Sequence, residues 1–122
     1  MKDLLLVALS GATGSVLRYA VGLWLKSASG QAFPAATLLV NLVGSLLIGL
    51  LAGYAGRYHW VAGEGWILLA TGLCGGFTTF STFSLEGVRM LQAGATGPAL
   101  FYLGISVVIG LALCALGYRL AV

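Results

Sequence analysis

Apolar residues run through this chain in four long blocks, Leu4–Leu25, Ala35–Ala55, Trp66–Met90 and Pro98–Leu120. Each block meets the roughly 20 residues that a helix needs to cross a hydrocarbon core about 30 Å thick. A membrane β-barrel would show strict alternation in segments of about ten residues, which the run Leu4-Leu5-Leu6-Val7-Ala8-Leu9 does not fit. The pattern predicts an all-α membrane protein, a single four-helix transmembrane domain over residues 1–122. The connections Lys26–Pro34, Gly56–Gly65 and Leu91–Gly97 are short, which makes successive helices antiparallel neighbours. The first block extends past the usual 7–15 or so residues of a signal-peptide core and is read as a helix of the mature protein.

The third block is interrupted. Thr71–Ser84 reads T-G-L-C-G-G-F-T-T-F-S-T-F-S. Each glycine costs about 1 kcal/mol against alanine in a helix, and Thr, Ser and Phe are mediocre helix formers. This predicts a third helix broken near its middle, around Gly75–Thr79. Non-helical backbone at membrane depth is tolerated only where protein or a water-filled cavity surrounds it, and such breaks mark ion or substrate sites. The hydroxyls of Thr78, Thr79, Ser81, Thr82 and Ser84 are candidates to satisfy the loosened backbone. Phe77, Phe80 and Phe83 recur every third residue, so the rings roughly share a face. They are either core packing or rings whose electropositive edges meet an anion without trapping it.

The other blocks carry polar and small residues at helical spacing. In the second, Thr37, Asn41, Ser45, Gly49 and Gly53 follow one another at i+4, on one slowly drifting stripe. Gly49-x-x-x-Gly53 reads as a helix-packing seam. Asn41 is either interhelical glue or an NH₂ donor to an anion, since an unpaired amide in lipid is costly. The first block shows Gly11, Gly14 and Ser15, then Arg18 and Tyr19; Arg18 either snorkels to the interface or lies in an aqueous vestibule. The fourth repeats the stripe with Tyr102, Ser106 and Gly110, as packing or as a lining of hydroxyl donors.

Composition agrees with the pattern. The chain is 60% hydrophobic and only 7% charged, where a soluble domain carries about 25% charge, and its mean hydropathy is +1.04. With both termini on one side, Lys2, Arg57 and Arg119 oppose Lys26 and Arg89, with Arg18 loosely in the second group. So even a balance gives almost no orientation under the positive-inside rule. Either the chain inserts both ways and pairs antiparallel with itself, or another influence sets one orientation. Cys74 and Cys114 lack C-x-x-C spacing and read as small apolar residues. The acids Asp3, Glu64 and Glu86 fall at or near predicted helix ends, which argues against a proton-coupled exchanger relying on a mid-membrane carboxylate. His59, beside Tyr58 and Trp60, is the one histidine; with no partnered nucleophile, the chain does not read as an enzyme.

Three segments together resemble the Fluc/CrcB fluoride channels: G-A-T-G-S-V-L-R-Y (Gly11–Tyr19), T-L-L-V-N-L-V-G-S (Thr37–Ser45) and, most specifically, G-G-F-T-T-F-S-T-F (Gly75–Phe83). The resemblance covers essentially the full length. It implies an antiparallel dual-topology homodimer in the inner (plasma) membrane, with two fluoride pores lined by both subunits. The Phe80 and Phe83 ring edges and the Asn41 amide would line each pore, with Ser81, Thr82 and Tyr102 as further polar positions. Arg18 would stand in a vestibule. Backbone carbonyls of Gly75 and Thr78 would hold a structural Na+ at the two-fold axis. The function implied is passive fluoride export. The competing classes are a small dual-topology proton-coupled multidrug-type exporter and a non-transporting membrane assembly subunit.

Overall fold

The structure, a computed structural model, describes residues 1–29 and 33–122, with the backbone alone for residues 27–29. Residues 30–32 of the first connection lie outside the described residues. The chain is all-helical: α1 (Lys2–Ser29), α2 (Ala35–Ala55), a wide-turned π-helical segment Val61–Cys74, the single turn α3 (Gly75–Phe77), α4 (Phe80–Gln92) and α5 (Thr96–Ala121). Among the described residues, four stretches are long and apolar enough to cross a membrane: Lys2–Lys26, Ala35–Ala55, Val61–Gln92 and Thr96–Ala121. The third contains the π segment, α3 and α4, and is bent.

That third stretch begins at Val61, earlier than the expected Trp66. Gly63 leaves helical geometry (φ −102, ψ −114), so the chain bends there and remains wound. Glu64 is accommodated because its carboxylate pairs with Lys2 at the start of α1, both side chains being exposed. The end of α4 is set by Gly94, at φ +78, a backbone state that glycine adopts without steric cost. Around it the Ala95 N–H donates to Met90 O (2.9 Å) and the Gly94 N–H to Leu91 O (3.1 Å), the paired bonds of a Schellman stop.

Small residues bring the helices together, as they do where lipid supplies no hydrophobic drive between helices. On α2, a Cβ at Gly49 would strike the Cys114 carbonyl, and one at Gly53 would meet Tyr118 O and Ala121 Cβ. From the other side, Gly117 of α5 sits against Leu46 and Leu50 of α2. A second close seam joins α1 to the third span: Gly14 packs on Leu73, Gly76 and Phe77, and Gly76 packs on Gly11. Between these two seams lies the break.

Candidate functional site

The break falls at Thr78 (φ −89, ψ 163) and Thr79 (φ −155, ψ 118), both extended. In a continuous α-helix each C=O accepts the N–H four residues on. Here those donors are redirected. The Thr79 N–H, helical partner of Gly75 O, donates instead to Asn41 Oδ1 (2.8 Å). The Thr82 N–H, helical partner of Thr78 O, donates instead to the Thr79 hydroxyl (3.1 Å), which N-caps α4. Asn41 Nδ2 donates to Thr79 O (3.0 Å), so one amide closes both polar groups of Thr79. Arg18 Nε donates to Gly76 O (3.2 Å).

The hydroxyl tract is used in part as expected. Thr78 Oγ1 donates to Cys74 O and Ser84 Oγ to Phe80 O (2.9 Å each). Ser81 stays exposed, its hydroxyl 3.4 Å from that of Thr79. The break also divides the phenylalanine stripe. Phe77 lies before it and packs where α2 has Gly44. Phe80 and Phe83 lie after it on α4, with ring centroids 5.8 Å apart. The shared-face argument therefore holds for Phe80 and Phe83 but not for Phe77.

Two hollows meet at this wall. One, of about 340 Å³, is lined by Asn41, Gly44, Ser45, Gly75, Thr78, Thr79 and Phe80 among others. The other, of about 590 Å³, runs between α1, α2 and α4 past Arg18, Lys26, Thr37, Thr79, Thr82 and Glu86. Thr79 borders both. Phe80 is 79% exposed, an unusual state for a phenylalanine beside a polar break. Phe83 is half-buried and stacks obliquely on Tyr102 (5.3 Å).

Tyr102 itself is fully buried and borders neither hollow. Its hydroxyl donates to Glu86 Oε2 (2.9 Å), while the Thr37 hydroxyl donates to Glu86 Oε1 (2.9 Å). Glu86 thus joins α2, α4 and α5 from inside the bundle. Glu86 keeps its expected place near the end of the third span, which runs from Val61 to Gln92; what the structure adds is its two hydroxyl partners. Sequence reasoning passed over the residue because it counted charges from block ends. The available signal was its i+3 relation to Phe83, which puts both on one face of α4.

The profile of the family described as "CrcB-like protein, Camphor Resistance (CrcB)" matches residues 5–118. The chain belongs to the CrcB family. Relatives that align over nearly the whole chain include proteins named "fluoride-specific ion channel FluC". One from Thermus thermophilus is 49% identical over 116 residues, covering 95% of this chain and 91% of that protein. One from Agrobacterium fabrum is 47% identical over 112 residues, covering 92% and 90%. One from Methylobacillus flagellatus is 45% identical over 121 residues, covering 98% and 94%. The stretch from Arg18 to Tyr102 lies within the residues the family profile matches. The chain is accordingly a multi-pass membrane protein.

Proposed function

We propose that this CrcB-family chain is a fluoride-selective channel of the plasma membrane that lets the anion leave down its gradient and so relieves fluoride toxicity. The observation that carries the reading is similarity over nearly the whole chain to proteins named for that function. Hydrogen fluoride crosses lipid as a neutral molecule and dissociates at cytoplasmic pH; the trapped anion then needs a pathway of its own.

Fluoride is small and strongly hydrated, so a selective pathway must replace its water with donors at close range. Asn41 spends one N–H on Thr79 O and retains the other. Ser81 is exposed and Thr82 half-buried, both in the first turn of α4, where N–H groups point outward and the helix dipole favours negative charge. The Phe80 and Phe83 edges add weak electropositive contacts, which suits an ion that must enter and also leave. Glu86, the carboxylate nearest this region, is held by Thr37 and Tyr102. Tyr102 therefore acts on the pathway through Glu86 and through its stacking on Phe83.

We further propose that the working unit is an antiparallel dual-topology homodimer with both subunits lining each pore. The balanced basic charges support it, and so does the exposure of Phe80 beside an open groove. A structural sodium ion suits the same groove. Gly75 O and Thr78 O have lost their helical donors to Asn41 and Thr79, and neutral carbonyl oxygens are hard donors fit for a small monovalent cation. Held by Gly75 and Thr78, the ion's contribution would be electrostatic cohesion between the two breaks.

The test is fluoride efflux from liposomes containing the purified protein. Phe80→Ile and Phe83→Ile should each slow efflux at least about tenfold, a barrier increase of about 1.4 kcal/mol, while the dimer persists on gel filtration. Unchanged efflux in both variants removes the rings from the pathway.

A further inference from the structure

Four carbonyls, those of Gly75 to Thr78, lose their α-helical donors at the break, because extended backbone at Thr78 and Thr79 carries the following N–H groups away. Three lie next to the groove or the turn leading into it. The fourth, Gly76 O, faces α1, where Arg18 Nε donates to it at 3.2 Å. Arg18 is half-buried, and among the described residues no carboxylate lies within ion-pair distance of it.

The placement has a local cause. Gly14 and Gly76 let α1 and the third span meet backbone to backbone: a Cβ at Gly14 would strike Leu73 O and the Phe77 N–H, and one at Gly76 would strike Gly11 O. Arg18 follows Gly14 at i+4, on the same face. Its side chain thus emerges beside the last carbonyls before the break. A guanidinium there also opposes the negative end of the helical dipole.

We propose that Arg18 is a positioning residue: its Nε–H replaces the lost Phe80 N–H on Gly76 O and fixes the conformation of the break, and anion attraction at the pathway mouth is secondary. The guanidinium takes the one freed carbonyl that faces α1. Gly75 O and Thr78 O are thereby left to the groove, and Phe80 is held at its exposed site. The flux arm of the test rests on the fluoride-channel reading; the stability arm does not.

Side-chain length separates the two roles. Counted from Cα, Gln carries Nε2 at the same place as Arg Nε, whereas Lys carries an apolar methylene there and its charge one atom further out. Arg18→Gln keeps a donor at that position and removes the charge; Arg18→Lys keeps the charge and moves its donors one bond beyond the position of Nε. Full-length wild-type, Arg18→Gln, Arg18→Lys and Arg18→Ala proteins are compared for heat resistance in detergent and for fluoride efflux from liposomes at low and high ionic strength. The expected result is that Arg18→Lys and Arg18→Ala lose heat resistance and slow efflux by about tenfold or more, the scale of a lost charge-assisted hydrogen bond. Arg18→Gln restores both to within about threefold of wild type on that scale, and its efflux keeps the wild-type salt response. The proposal is overturned if Arg18→Lys equals or exceeds Arg18→Gln in either property, or if Arg18→Gln does not fold. Loss of the wild-type salt response in Arg18→Gln overturns it too, since the charge would then be the active feature. Absence of fluoride efflux in the wild-type protein would instead strike the channel reading, leaving the order of heat resistance to judge Arg18.

Discussion

At Asn41, one amide does two separable things. Its Oδ1 and one N–H are committed to Thr79, which is the glue reading of the sequence. Its second N–H is not spent on Thr79, and under the proposed channel reading it is the donor offered to the anion. The bonding alternative is the one the structure shows, and it leaves an N–H for the other. Asn41→Ala strands the Thr79 N–H and C=O at membrane depth, and each unpaired buried group costs about 1–3 kcal/mol. The expected outcome is a protein that elutes natively but melts at markedly lower temperature and conducts little fluoride. Unaltered melting would mean that the amide does not hold the break. Glu86 offers a second residue-scale check. Tyr102→Phe removes one of its two donors and leaves a carboxylate oxygen unpaired, so a loss of about 1–3 kcal/mol is expected in the same melting measurement. Neither arrangement was fully legible in the sequence. Asn41 stood out as an amide among apolar residues, but its partner Thr79 is 38 residues away, and Glu86 was counted with the helix ends.

Among the elements, the four spans were legible because lipid imposes a length and a composition on any helix that crosses it. The break was legible for a related reason: glycines and β-branched hydroxyl residues in an apolar block remove the local preference for a helix. One boundary was not legible. Gly63 and Glu64 read as connection, whereas the third span starts at Val61 and Glu64 pairs with Lys2, distant in sequence. The division between Phe77 and Phe80 follows from that break, but a period of three alone looks continuous until the extended pair Thr78–Thr79 separates the rings. The restart of α4 depends on the Thr79 hydroxyl. Thr79→Val should destabilise by about 1 kcal/mol, the usual worth of an N-cap, while Thr79→Ser should restore most of it in thermal melting. At the α2–α5 seam, Gly49→Val forces a side chain into the Cys114 backbone. Overpacking of this kind costs about 1–3 kcal/mol or more, and loss of the native gel-filtration peak is the expected reading.

For the whole molecule, a single chain leaves Phe80 79% exposed beside a groove that holds the freed carbonyls and the Asn41 amide. The antiparallel dimer proposed above supplies an inverted copy as the partner for that surface. It is checked by placing single cysteines at each terminus after replacing Cys74 and Cys114. Each terminus should then label from both faces of intact vesicles, and labelling from one face alone would remove the antiparallel dimer. The central claim, however, concerns the ion. Its most direct test is the rate of fluoride efflux relative to chloride efflux from liposomes carrying the purified protein, with a potassium ionophore present to balance charge and no proton gradient. Efflux of fluoride at least about a hundredfold faster than chloride, a barrier difference of about 2.7 kcal/mol, is the expected result; equal rates, or fluoride movement that requires a proton gradient, would contradict the account.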